Sequence, residues 1–177
     1  MSLHDDRQAG KDWKGYFNAL MGDKGTDNLS PAERTAKRKK LEEDPVKWMQ
    51  FFFTEYAKYP FTPFHKHAIK RITSNPEWYE VLSWSRELAK STIVFMCMMY
   101  LVLSGKKKNV LLISNSHENA VRLLEPYKKA FESNSLLKAY YGDLREHGKW
   151  TADEFSLTTG AAFRALGALE SPRRNKT

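Results

Sequence analysis

The chain has 177 residues, 41% of them hydrophobic and 13% aromatic, enough apolar material for one packed domain with a smaller extension. Its net charge of +8 and pI near 9.5 point to an acidic partner such as nucleic acid. The single cysteine, Cys97, cannot build a disulfide framework or a cysteine metal cluster. The apolar run Ile93–Leu103 is too short to span a bilayer, and the polar, acidic start Met1–Asp6 is unlike a secretion signal. A reducing, cytosolic setting with no membrane contact fits these features.

In chain order, residues 1–43 read as a helical, basic arm. Trp13, Tyr16, Phe17, Leu20 and Met21 recur at helical spacing, and Gly22, Gly25 and Asn28 break that segment. Ser30-Pro31-Ala32-Glu33 is a capping box with proline at the first helical position. The helix it starts carries Arg34, Lys37, Arg38, Lys39 and Lys40, either a solvated face or a nucleic-acid contact. Asp44-Pro45 starts another helix by the same logic. Val46, Met49, Phe53 and Tyr56 fall on one stripe there, with Trp48 and Phe52 beside it as core candidates. Tyr59-Pro60-Phe61-Thr62-Pro63 reads as a rigid, extended turn, because a residue before proline is pushed out of the helical region. A helix from Phe64 to Thr73 follows.

From residue 78 the pattern changes. Val81–Trp84 reads as a short strand, and a helix from Ser91 ends at Ser104-Gly105, with Gly105 suited to the C-terminal cap. Val110–Ile113 is a continuous apolar run, the pattern of a strand buried on both faces. Asn115–Glu118 caps a helix reaching about Ser133. Residues 80–133 are therefore predicted to run β-α-β-α, with a crossover long enough for parallel strands. Residues 134–152 are mixed. Phe155–Thr158 and Ala162–Leu166 flank Thr159-Gly160-Ala161 as a β-hairpin, and the chain closes on the basic stretch Ser171–Thr177.

One passage carries chemistry. Between the predicted strand and helix lies Ser85-Arg86-Glu87-Leu88-Ala89-Lys90-Ser91-Thr92. Amide groups at a helix N-terminus point at an anion, and the helix dipole adds to the attraction. Lys90 would supply a mobile cation for the outer phosphates. Ser91, favoured by register, or Thr92 would offer a hydroxyl to Mg²⁺. The usual phosphate-loop pattern has glycine where this chain has Trp84 and Ala89. The bland alternative is an amphipathic helix whose first turn holds a solvated lysine.

With these pieces in order, residues 45–177 resemble the N-terminal ATPase region of the large terminase subunit of tailed bacteriophages and prophages, the motor that packages DNA into proheads. The loop Ser85–Thr92 looks like that family's phosphate loop, with arginine near its start and alanine tolerated before the lysine. The phrase Ile113-Ser114-Asn115-Ser116-His117-Glu118-Asn119-Ala120 is similar to its second strand-to-helix junction. Thr62-Pro63-Phe64-His65-Lys66-His67 is similar to its adenine-recognition segment, and Leu166–Arg173 to the stretch before its second acidic motif.

The resemblance implies an α/β fold, an incomplete P-loop NTPase with a parallel sheet. A helical arm (1–43) would precede a partial ATPase domain (44–177): lead-in 44–78, phosphate loop and strands 79–133, hairpin region 134–177. It implies ATP and Mg²⁺ as cofactors, bound by Ser85–Thr92, with His65 at the adenine or ribose and Ser91 on the metal. Arg86 would stabilise γ-phosphate charge, the alternative being a salt bridge to a nearby acid. Double-stranded DNA, the terminase small subunit and the portal protein would be partners, a ring oligomer the working form, and the host cytoplasm the location.

The family's next strand carries an aspartate for Mg²⁺ and a glutamate for water. The chain ends before it, and Asp153-Glu154 precedes a strand instead of ending one. A fragment that binds ATP but hydrolyses it negligibly is the expectation. Other P-loop ATPases, such as a helicase-like translocase, and a non-catalytic basic binding module remain as alternatives. Tyr140, Tyr141 and Trp150 would stack on bases or pack internally.

Overall fold

A computed structural model describes residues 27–57 and 59–168. The stripe Trp13–Met21 and the basic stretch after Leu169 lie outside the described residues. Within them the fold is mixed α/β, with six helices and one open four-stranded sheet.

Four helix starts follow from local capping. α1 (Pro31–Glu42) has the predicted capping box: the Glu33 amide donates to the Ser30 hydroxyl at 3.4 Å, and the Ser30 amide donates back to the Glu33 carboxylate at 2.8 Å. α2 (Pro45–Phe52) starts from Asp44, whose carboxylate accepts from the amides of Val46 and Lys47 at 3.0 and 3.1 Å. α3 spans Pro63–Ser74, α4 Lys90–Leu103, α5 His117–Ser133 and α6 Ser135–Tyr141. Ser116 caps α5 and Asn134 caps α6.

α4 is the central element. Eight of its residues are buried, Ile93, Phe95, Met96, Cys97, Met99, Tyr100, Leu101 and Val102, so it is apolar nearly all round. Burial pushes the Cys97 thiol up to about 12, leaving it an inert core side chain. α2 brings Trp48, Met49 and Phe52 against one side of α4, and α3 brings Ala68 and Ile69. α4 ends as predicted. Gly105, at φ +74°, donates to the Val102 carbonyl at 3.0 Å, and Lys107 to Leu101 at 3.0 Å.

The strands are β1 (Asn109–Ser114), β2 (Arg145–Trp150), β3 (Glu154–Leu157) and β4 (Ala162–Gly167), in the order β1-β4-β3-β2. β1 and β4 run parallel, with Val110 opposite Phe163 and Leu112 opposite Ala165. β4–β3 and β3–β2 are antiparallel, so the sheet is mixed, where a parallel sheet with a hairpin appended was expected. The hairpin around Gly160 is present, with Gly160 at φ +81°. α6 and β2, inside the stretch read only as mixed, complete the path between α5 and the hairpin.

Two further expectations are corrected. Val81–Trp84 is not a strand. Its Trp84 ring is held by α3 instead of its backbone by a ladder: Trp84 packs on Phe64 and His65 at ring separations of 5.1 and 5.5 Å, and the adjacent Glu80 binds Arg71 at 2.5 Å. Val81 is left 69% exposed and Tyr79 87%. The order from residue 80 is therefore loop-α-β-α. Nor is β1 buried on both faces. Val110 faces the helices, but Leu111 is 48% and Ile113 60% exposed, because β1 is an edge strand and α5 covers one side of the sheet.

Candidate phosphate-binding loop

Residues 85–89 form an exposed loop that leads directly into α4. Glu87 has φ +66° and Ala89 has φ +55°, ψ +25°, both left-handed. A side chain there costs about 1–2 kcal/mol, which is why such loops favour glycine. Trp84 is not left-handed, so a large residue stands in place of the pattern's first glycine without backbone strain. Ala89, in place of the second, is left-handed despite its Cβ.

Ala89 is the N-cap residue of α4 and provides no side-chain cap. The first-turn amides of α4, including those of Lys90, Ser91 and Thr92, have no carbonyl one turn back to bond, so they face the loop as donors. The Lys90 ammonium turns back over the loop, donating to the carbonyl of Trp84 and, at 3.3 Å, to that of Ser85. Arg86 is exposed and makes no hydrogen bond or ion pair among the described residues, so the salt-bridge alternative is not realised there. Glu87 is likewise exposed and Leu88 is 39% exposed.

Beside the loop opens a cleft of about 540 Å³. Lys90, Ser91 and Thr92 form its polar rim; Phe95, Leu112 and Tyr127 are among its apolar walls. Arg122 also lines it and pairs with Glu118 at 2.6 Å. The sequence marked Tyr56 only as part of an apolar stripe and Arg122 not at all; the chain after α2 and α5 bring them to this cleft.

His65, in the first turn of α3, meets the loop. Its Nε2–H donates to the Leu88 carbonyl at 3.1 Å, so in the neutral ring Nδ1 is the bare nitrogen. Among the described residues no carboxylate lines the cleft. Asp153 is held below the usual carboxylate range chiefly by the Thr151 hydroxyl, and Glu154 is paired with Arg164 at 2.8 Å. Among the described residues no group of three His, Cys, Asp or Glu is placed to hold a metal.

Most of the other aromatic and basic candidates are engaged internally, while Lys39 and Lys40 on α1 are exposed. The Tyr140 hydroxyl bonds Asp27, Tyr141 donates to Glu42 at 2.8 Å, and the Trp150 ring stands 4.6 Å from Phe155. On α1, Arg34 and Lys37 pair with Asp27, Arg38 lies against Glu42 and the Tyr141 ring, and Lys37 lies over Phe51. Among the described residues no helix is long and apolar enough to cross a membrane. Comparison with family models and with curated proteins finds no match to the chain.

Proposed function

We propose that the chain binds the phosphates of ATP–Mg²⁺ at Ser85–Thr92, as the nucleotide-binding part of a DNA-packaging ATPase of the terminase large-subunit kind. The observation that carries this reading is Ala89. A strained, left-handed non-glycine residue stands directly before the uncapped N-terminus of a long helix, with the Lys90 side chain folded over the same loop. Backbone strain of this kind persists where function or surrounding structure holds it.

In this reading the amides of the first α4 turn and the Lys90 ammonium bind phosphate oxygens. Ser91 offers its hydroxyl to the metal, and the exposed Arg86 reaches the terminal phosphate. The bound ion would neutralise phosphate charge. Among the described residues no carboxylate lines the cleft to orient an attacking water, and the reading expects binding without appreciable turnover. Double-stranded DNA, a terminase small subunit, a portal protein, a ring assembly and the host cytoplasm belong to the same proposal. The basic-module alternative is less favoured, because Arg34, Lys37 and Arg38 are already committed to Asp27, Glu42 and aromatic faces.

The test is titration of Mg–ATP into the wild type and Lys90→Ala by calorimetry. A charged phosphate contact is worth about 1.5–3 kcal/mol, so the variant should bind at least about tenfold more weakly. Equal affinity, or no binding by the wild type, overturns the proposal.

A further inference from the structure

We infer that His65 is a positioning residue for the phosphate loop, acting on the backbone of Leu88 and not on the base of a nucleotide. The inference rests on the phosphate-site reading above and specifies how that site is held. Leu88 lies between the two left-handed residues, Glu87 and Ala89. Its carbonyl accepts the Nε2–H of His65 at 3.1 Å. This places a side chain from a separate helix on the peptide between the two strained positions.

The ring of His65 is itself fixed. Phe61, Phe64 and Trp84 surround it at ring separations of 6.3, 4.1 and 5.5 Å. Phe61 is buried, and α3 is anchored to the core through Ala68 and Ile69. The donor therefore reaches Leu88 from a rigid mount, which limits the side-chain entropy lost in making the bond. Trp84 secures the other end of the loop. Its ring packs on His65 and Phe64, while its carbonyl takes the Lys90 ammonium. The loop is thus held at both ends from α3, and the orientation of the α4 amides depends on that hold.

The neutral His65 ring has one N–H, and Leu88 takes it. The bare Nδ1 is buried with no hydrogen-bond partner among the described residues. An adenine contact through Nε2 would have to break the Leu88 bond. Loop positioning needs no rearrangement.

The experiment compares wild type, His65→Leu, His65→Gln, Ala89→Gly and His65→Leu/Ala89→Gly, with Mg–ATP, Mg–GTP and Mg–tripolyphosphate as probes. The glutamine Nε2 can replace the lost donor; leucine cannot. Loss of one hydrogen bond predicts about 2- to 10-fold weaker binding of all three probes by His65→Leu. His65→Gln should recover most of that loss. Ala89→Gly in the His65→Leu background should recover part of it, because glycine adopts the left-handed backbone without help, and the cycle should be non-additive. A merely structural role for His65 would leave the glycine substitution without effect on the loss. Unchanged tripolyphosphate binding by His65→Leu, or a loss confined to ATP, overturns the inference while leaving the phosphate site standing. A wild type that binds none of the probes overturns both.

Discussion

Gly167, the last residue of β4, lies against the backbone of His117, the first residue of α5. A Cβ at Gly167 would sit 2.8 Å from the His117 amide nitrogen. The neighbour is backbone, which cannot swing aside. Gly167→Ala should therefore push the end of β4 from the α5 N-terminus and cost about 1–3 kcal/mol. Denaturant unfolding checks this. A variant as stable as the wild type would mean the two elements separate easily.

The segment before the loop offers a sharper contrast. Val81 is exposed and unpaired to the sheet, so Val81→Ser should change stability by no more than about 0.5 kcal/mol. Phe155 is fully buried and stacks on Phe163 at 4.7 Å, and Phe155→Ala should cost about 3–5 kcal/mol. The same unfolding measurement reads both. A cost above about 1 kcal/mol at Val81 would mean that the segment is a core strand in solution, which an exposed position does not produce.

Acid should loosen α1. The Tyr140 hydroxyl, with Arg34 and Lys37 beside it, holds the Asp27 carboxyl below its usual range. A lowered folded-state value means that the stabilisation is present above the ordinary carboxylate range. It is lost as pH falls through that range toward the lowered value. Wild type should be more stable than Asp27→Asn at neutral pH, and the difference should shrink on acidification. Paired thermal melts across the acid range provide the test; a difference constant with pH would rule out this contribution.

The open edge of β1 should drive association. Leu111 and Ile113 are exposed on a strand whose outer edge has no partner among the described residues. The double substitution Leu111→Lys/Ile113→Lys should reduce self-association, measured by light scattering over a concentration series. A wild type that stays monodisperse throughout would show that this edge is protected.

Residues acting within a few positions of themselves were legible in the sequence. Ser30 with Glu33, Asp44 with Pro45, Ser116, and Gly160 at the hairpin each place an element boundary, because capping and turn bonds close inside one turn of chain. The apolar run into Leu103 marked the central helix, since no surface helix carries so many apolar residues in succession. The candidate loop was legible as Lys90-Ser91-Thr92 at a helix start, but its shape was not: Ala89 gives no sign in sequence of a left-handed backbone. What only the tertiary structure decided involves partners far apart in the chain. Val81–Trp84 has strand composition, yet a strand needs a neighbour to pair with, and Trp84 is instead taken by Phe64 and His65. Val110–Ile113 reads as doubly buried, but an apolar run cannot say on how many faces other elements will lie. The cations of α1 read as a free basic face until Asp27, Glu42 and the rings of Phe51 and Tyr141 come within reach. His65 reaches Leu88 across a separation of 23 residues, a contact fixed by how α3 packs on α4 and not by any local pattern.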